Sequence, residues 1–214
     1  MVQLLGDSAE YDLIYKGIEL SKDVEGMCME IGLRLGGGTK EIINGIANFC
    51  PHKIAIAIDP YGNIPYEHKE GEFIQYGEAG YTNRMMAECL SNLYPYVLEK
   101  GVHFLFFALE DTEFFNRYSS GIPIYQEEKR IETKYSFVHF DGPHAIQPLI
   151  TEIEFFLPRT NPGAIWCFDD IGNEIEGTQY QHYYNHDRIE QYLFDMGFEL
   201  IEKRHVKALY RYKG

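Results

Sequence analysis

The stretch from Met27 to Ile43 limits the possible folds of this chain more than any other. It opens as a short apolar run, Met27–Cys28–Met29, suited to a buried strand. It then passes through Gly32, Gly36, Gly37 and Gly38 and resumes as Thr39–Lys40–Glu41–Ile42–Ile43. The last segment predicts a helix with Thr39 near its N-cap. Strand, glycine-rich turn and helix N-terminus together let backbone N–H groups approach a ligand with no side chain in the way. The same pattern also serves as a plain tight turn, so the rest of the chain has to decide between the two.

Apolar runs and helical periods alternate from there onward. The glycine-rich unit continues as a helix to about Ala47, and Lys53–Ile58 is a second strand, apolar enough to be buried on both faces. Asp59–Pro60–Tyr61–Gly62 ends it, and a glycine- and tyrosine-rich segment without clear period runs over 61–81. Segments of that length are often lids or binding loops. Asn83 is the expected N-cap of a helix carrying Met86, Cys89, Leu90, Leu93 and Val97, kinked at Pro95 and ended by Gly101. Val102–Ala108 is the third strand, with Glu110–Asp111 after it, and 113–134 reads as irregular or weakly helical around Gly121–Ile122–Pro123.

Tyr135–Phe140 is the fourth strand and ends at Asp141–Gly142–Pro143–His144. A helix with Leu149, Ile150, Ile153, Phe156 and Leu157 on one face stops at Pro158. Pro162–Gly163 turns the chain into a fifth strand, Ala164–Phe168, which ends at Asp169–Asp170. One more helix, with Ile189, Tyr192, Leu193 and Met196 on a face and Gly197 at its end, precedes two strands around Phe198–Ile201 and Val206–Tyr212. Residues 1–26, with Leu13, Ile14, Ile18 and Leu20, read as a helical N-terminal cap over the sheet edge.

This alternation predicts an α/β three-layer sandwich over a single domain, 1–214. Its sheet is mostly parallel and finishes in a terminal antiparallel strand pair. Ligands of such sheets sit at the carboxyl ends of the strands. Gly32–Gly38, Asp59, Glu110–Asp111, Asp141–His144 and Asp169–Asp170 all fall there.

Composition narrows the partners. The 214 residues, 45% of them hydrophobic, suffice for one well-buried core. A formal net charge of −14 repels phosphate backbones and anionic lipid, so neither nucleic acid nor a membrane is expected as a partner. The least acidic part, Lys203–Arg204–His205 to Arg211–Lys213, reads as a solvated strand edge. Cys28, Cys50, Cys89 and Cys167 form no C-x-x-C pair, which points to a reduced, cytoplasmic protein without a paired-cysteine zinc site. Met1–Asp7 lacks the pattern of a signal peptide, and no apolar run approaches the roughly twenty residues that span a bilayer. Assembly into a homo-oligomer is left open.

Asp59 lies roughly twenty residues beyond the glycine turn, where a carboxylate can accept from both ribose hydroxyls of an adenosine-containing cofactor. Glu110 and Asp111 are placed to flank an adenine. Asp141, Asp169 and Asp170 end two strands expected to be neighbours, and three carboxylates in one cleft raise one another's pKa unless a cation neutralises them. Hard oxygen ligands suit Mg²⁺ or another divalent cation, which could lower the pKa of a substrate hydroxyl. His144 could take the proton.

Several of these motifs carry a family resemblance. Glu30–Ile31–Gly32–Leu33–Arg34–Leu35–Gly36–Gly37–Gly38–Thr39 resembles the first motif of class I S-adenosylmethionine-dependent methyltransferases, E-x-G-x-x-x-G-G-S-T. Asp141–Gly142–Pro143–His144 resembles the D-G-D/S-H element of the macrocin-type sugar O-methyltransferases. Pro162–Gly163 with Asp169–Asp170 resembles their "P-G-G … D-D" element, and Glu110–Asp111–Thr112 an E-D-T after the third strand.

The resemblance implies a Rossmann-like methyltransferase fold with S-adenosylmethionine as cofactor and a small-molecule or sugar-containing acceptor. It places Glu30 and Gly32 at the methionine end of the cofactor, within the same turn as Gly36 and Thr39, Asp59 on the ribose, and Glu110 or Asp111 near the adenine. It assigns Mg²⁺ to Asp141, Asp169 and Asp170 and general-base catalysis to His144. Gly38 stands where that family usually has Ser, Pro143 replaces an acidic or small residue, and segments 61–81 and 113–134 are longer than usual, so they are expected to form the acceptor pocket.

Other readings compete. His139–Phe140–Asp141 fits the H-x-D part of a non-haem iron oxygenase triad, with His182, His186 or His205 as third ligand. Dinucleotide oxidoreduction fits less well, because the spacing of Gly32 and Gly36 is not G-x-G-x-x-G. A non-catalytic cofactor-binding module is the third alternative.

Overall fold

The computed structural model describes residues 8–62, 64–69, 72–74, 81–143, 145–171 and 186–214. Among the described residues, seven strands, β1 (Met27–Ile31), β2 (Ile54–Ile58), β5 (His103–Phe107), β8 (Tyr135–Phe140), β9 (Thr160–Phe168), β10 (Phe198–Lys203) and β11 (Ala208–Tyr212), form one sheet. Their order across it is β10-β11-β9-β8-β1-β2-β5. Strands β5, β2, β1, β8 and β9 run parallel, whereas β11 is antiparallel to both of its neighbours, β9 and β10. The expected α/β sandwich and its terminal antiparallel pair are both present.

Helices cover both faces because successive strand residues point to opposite sides. One face presents Cys28, Ala55, Ala57, Phe137, Ile165, Cys167 and Leu209 to α1 (Tyr11–Leu20), α2 (Gly37–Phe49) and α3 (Asn83–Lys100). The other presents Met29, Ile56, Val138, Phe140, Trp166 and Tyr210 to α4 (Asp111–Arg117), α5 (Ile146–Phe156) and α6 (His186–Asp195). Strands β1, β2 and β8 are buried along their whole length, as their near-continuous apolar sequences require. Among the described residues no helix is long and apolar enough to cross a membrane. All four cysteines are buried and none is in a disulfide.

Helix α1 packs against α2 and the interior strands β9, β8 and β11, so it lies on a face of the sheet and not over its edge. Glycines permit the close approach. A Cβ added at Gly17 would stand 2.4 Å from Phe137 Cε2, and one at Gly45 would stand 2.7 Å from Ile18 Cβ.

Several local expectations are corrected. Helix α2 begins at Gly37, with Gly36 as its cap at φ 85°, which leaves Thr39 inside the first turn. Thr82, not Asn83, caps α3 by accepting a hydrogen bond from Met85 N at 3.0 Å, and the helix runs on through Pro95 to Gly101. The segment 113–134 contains most of α4 and the hairpin of β6 (Ile122–Tyr125) and β7 (Lys129–Glu132). Ile122 and Ile124 are buried at a period of two, a strand signal that Gly121 and Pro123 masked. Within 61–81, β3 (Tyr66–Lys69) and β4 (Glu72–Ile74) form a second hairpin. Strand β9 starts at Thr160, before the Pro162–Gly163 pair read as a turn, and a short 3₁₀ turn at Leu157–Arg159 precedes it.

The chain runs from β1 outward to β2 and β5, then returns to the other side of β1 for β8 and β9. The reversal lies between β1 and β8, where open α/β sheets hold their ligands. Replacing Gly17 by Ala should overpack α1 against Phe137 and lower stability by about 1–3 kcal/mol. A urea midpoint that falls with an unchanged m-value would show it.

Candidate active site

The parallel ladder continues one residue beyond the strands and lines up the acidic residues. Asp59 N donates to Phe107 O (3.3 Å), Gly32 N to Ile58 O (3.0 Å), Asp141 N to Ile31 O (3.0 Å) and Asp169 N to Phe140 O (2.9 Å). Asp59, Gly32, Asp141 and Asp169 therefore stand side by side on one edge. Gly32 (φ 87°) has to be glycine there, since a Cβ would fall 1.9 Å from Asp141 O.

A cleft of about 440 Å³ opens along this edge, within the range typical of small-molecule sites. Of the expected cofactor and metal residues, Gly32, Asp59, Glu110, Asp111 and Asp141 line it. Tyr61, Tyr81 and Pro143 add apolar wall. Glu110 is the residue before α4 and Asp111 its first residue, which explains why that acidic pair sits at a strand end. His144, the expected base, lies outside the described residues, as do His182 and part of segment 61–81.

Asp59 ties two turns together. Its Oδ2 accepts from Arg34 N and its Oδ1 from Tyr61 N, both at 2.9 Å. Arg34 (φ 41°) and Tyr61 (φ 48°) both adopt the left-handed conformation, uncommon outside glycine, and the Tyr61 hydroxyl donates to Arg34 O at 2.5 Å. Burial pushes the Asp59 carboxyl up to about 6, against the pull of these two amides. A carboxylate offers about four lone-pair directions, so two remain for ligand hydroxyls.

Glu30, Gly36 and Thr39 do not line the cleft. Glu30 is buried behind it, where one oxygen accepts from the Thr39 hydroxyl and the other lies 2.9 Å from His139 Nδ1. This bond clears up the departure at position 38: a Cβ on Gly38 would stand 1.8 Å from Glu30 Oε1 and 3.1 Å from His139 Nδ1. Gly38, where the resembling family usually has Ser, is the gap that lets Glu30 meet His139.

The expected metal ligands are arranged differently from a convergent trio. The fully buried Lys207 ammonium pairs with Asp169 Oδ1 and donates to Ser8 Oγ at 2.8 Å. Ser8 Oγ in turn donates to Asp169 Oδ2 at 3.1 Å. Burial works to raise Asp169, but Lys207 and its other partners hold it below the usual carboxylate range. Burial and the adjacent Asp169 charge raise the Asp141 carboxyl well above the usual carboxylate range. Burial and Asp169 likewise push Asp170 up to about 7. Asp169 and Asp170 face a separate small cavity beside the buried Glu152. As they stand, Asp141, Asp169 and Asp170 do not fit a Mg²⁺ ion, because a lysine already occupies the Asp169 carboxylate.

Among the described residues, the group whose donor atoms come within 4.8 Å of one another is Glu30, His139 and Asp141. Both Glu30 oxygens are engaged, by Thr39 and by His139 Nδ1. His205, one proposed third iron ligand, is exposed on the β10–β11 turn, and nothing is described of the His186 side chain. Sequence reasoning missed Lys207, Ser8 and Glu152. The signal for Lys207 was present: it directly precedes Ala208–Leu209–Tyr210, in a run read as a solvated edge although β11 lies inside the sheet.

The fold is that of solved O-methyltransferases. No family model and no curated protein sequence matches the chain. The structure of TomG from Streptomyces achromogenes, an O-methyltransferase involved in tomaymycin synthesis solved with S-adenosylmethionine, aligns with a TM-score of 0.60 at 12% identity, over 99% of this chain and 82% of that one. CalS11, a calicheamicin methyltransferase, aligns with a TM-score of 0.58 at 16% identity, over 95% and 77%. The O-methyltransferase NovP aligns with a TM-score of 0.54 at 16% identity, over 95% and 79%.

Two outcomes follow from this geometry. Gly38→Ser should displace the Glu30 carboxylate and destabilise the protein by about 1–3 kcal/mol, read from the urea midpoint. The raised Asp59 carboxyl keeps its proton in the folded state where the unfolded chain loses it. Its contribution is therefore most favourable below pH 3.8 and is lost as pH rises to about 6. Relative to Asp59→Asn, the wild-type melting temperature should thus fall across that window and run parallel above it.

Proposed function

We propose that this chain is an S-adenosylmethionine-dependent O-methyltransferase that methylates a hydroxyl of a small molecule or sugar-containing metabolite. The observation that carries the reading is the alignment of Gly32, Asp59 and Asp141 along one cleft at the strand reversal between β1 and β8. The motifs at these positions and the fold shared with TomG and CalS11 support it.

When bound, S-adenosylmethionine supplies a sulfonium methyl group for displacement by the acceptor oxygen. The residues of the chain account for the rest. Gly32 leaves the floor of the cleft free of side chain beside the β1 terminus, and the open lone pairs of Asp59 accept the ribose hydroxyls. Glu110 and Asp111 flank the adenine end. Tyr61, Tyr81 and Pro143 exclude water and orient the reactants, the main route to acceleration for a displacement of this kind. His144, following Asp141–Gly142–Pro143, receives the acceptor proton.

The strongly acidic composition disfavours nucleic acid as acceptor, and a cytoplasmic enzyme is consistent with four buried cysteines outside any disulfide. A non-haem iron oxygenase at His139 and Asp141 has only their proximity to Glu30 in its favour, since His139 Nδ1 is already engaged by the Glu30 carboxylate.

Isothermal calorimetry with S-adenosylhomocysteine tests the cofactor. Binding is expected, and Asp59→Asn should weaken it about tenfold or more, the value of a lost hydrogen bond to a charged group. No binding at millimolar ligand would sink the proposal.

A further inference from the structure

The chain carries its own cation in the acidic cluster. Lys207 is fully buried, and its ammonium pairs with Asp169 and donates to Ser8 Oγ at 2.8 Å. Its placement is built in from both sides. The Glu10 carboxylate accepts from three successive amides, His205 N (3.1 Å), Val206 N (2.9 Å) and Lys207 N (3.0 Å), which fixes the turn that delivers the lysine. The Tyr11 ring lies 5.2 Å from Nζ and covers it on another side. A buried ammonium persists only when it is paired and hydrogen-bonded, and here every one of those partners is supplied by the chain.

We infer that Lys207 takes the place of a divalent ion at the carboxyl ends of β8 and β9, making this site metal-independent. A divalent ion on Asp169 would have to displace the ammonium or sit against it, and like charges in a buried site exclude one another. Lys207 is then a positioning residue. It holds Asp169, and through Asp169 the neighbouring Asp141, which is the member of the cluster that faces the cleft. The inference rests on the methyltransferase reading only for what Asp141 faces. The absence of a metal requirement is a property of the cluster itself.

Electron paramagnetic resonance of Mn²⁺ titrated into the chain, alone and with S-adenosylhomocysteine, tests it without any acceptor. The wild-type chain should bind no stoichiometric Mn²⁺ below millimolar concentration. Lys207→Met, which leaves the carboxylates without their counter-ion, should gain a site at least tenfold tighter, and adding Asp169→Asn should remove that site. Lys207→Arg, which keeps the cation, should remain without one.

Micromolar, stoichiometric Mn²⁺ binding by the wild-type chain that Asp169→Asn abolishes would overturn the inference, whatever becomes of the Lys207 variants. A Lys207→Met chain with native circular dichroism and no gain of Mn²⁺ would overturn it too. If S-adenosylhomocysteine fails to bind the same sample, the proposed function falls while the Mn²⁺ result keeps its meaning.

Discussion

Glu30 is the interaction on which the remaining site depends. It leaves the end of β1, yet its two oxygens engage the first turn of α2 through Thr39 and strand β8 through His139. One buried carboxylate thus clamps the glycine turn to the strand on the far side of the reversal. A carboxylate in so dry a place is tolerable only when both oxygens are satisfied. The glycine at position 38 is the steric condition for that, and the conformation of the turn over the cleft follows from it.

The layer architecture was legible because it rests on patterns that secondary structure imposes directly. Near-continuous apolar runs such as Ile54–Ile58 and Tyr135–Phe140 suit strands covered on both faces, and the helical periods between them leave few topologies. The edge on which Asp59, Glu110, Asp111 and Asp141 gather followed from the same logic, since a parallel sheet brings all its strand ends to one side. The hairpin β6–β7 was not legible, because a proline within a four-residue strand conceals an alternation that is otherwise clear in Ile122 and Ile124.

What sequence could not show was which charge answers which. Asp169 and Lys207 are paired across two neighbouring antiparallel strands, and no local pattern ties them. Three strand-end carboxylates suggested a divalent cation, whereas the cation that Asp169 meets is Lys207, delivered by the register of β11. Thr39 shows the same limitation on a smaller scale. Its residue type suits a helix cap, while its place one turn from Glu30 gives it a different partner. Local propensity proposes such roles, and long-range contact selects among them.

The grip of Glu10 on residues 205–207 has a consequence for how the molecule is made. Ser8 and Glu10 emerge early in synthesis, Asp141 and Asp169 follow, and the ammonium that balances them is added 38 residues after Asp169. The same strand that joins β10 to β9 brings the ammonium to Asp169, so completion of the sheet and pairing of that carboxylate are structurally coupled. A chain stalled short of that strand lacks both a wall of its core and the charge that lets the opposite end close.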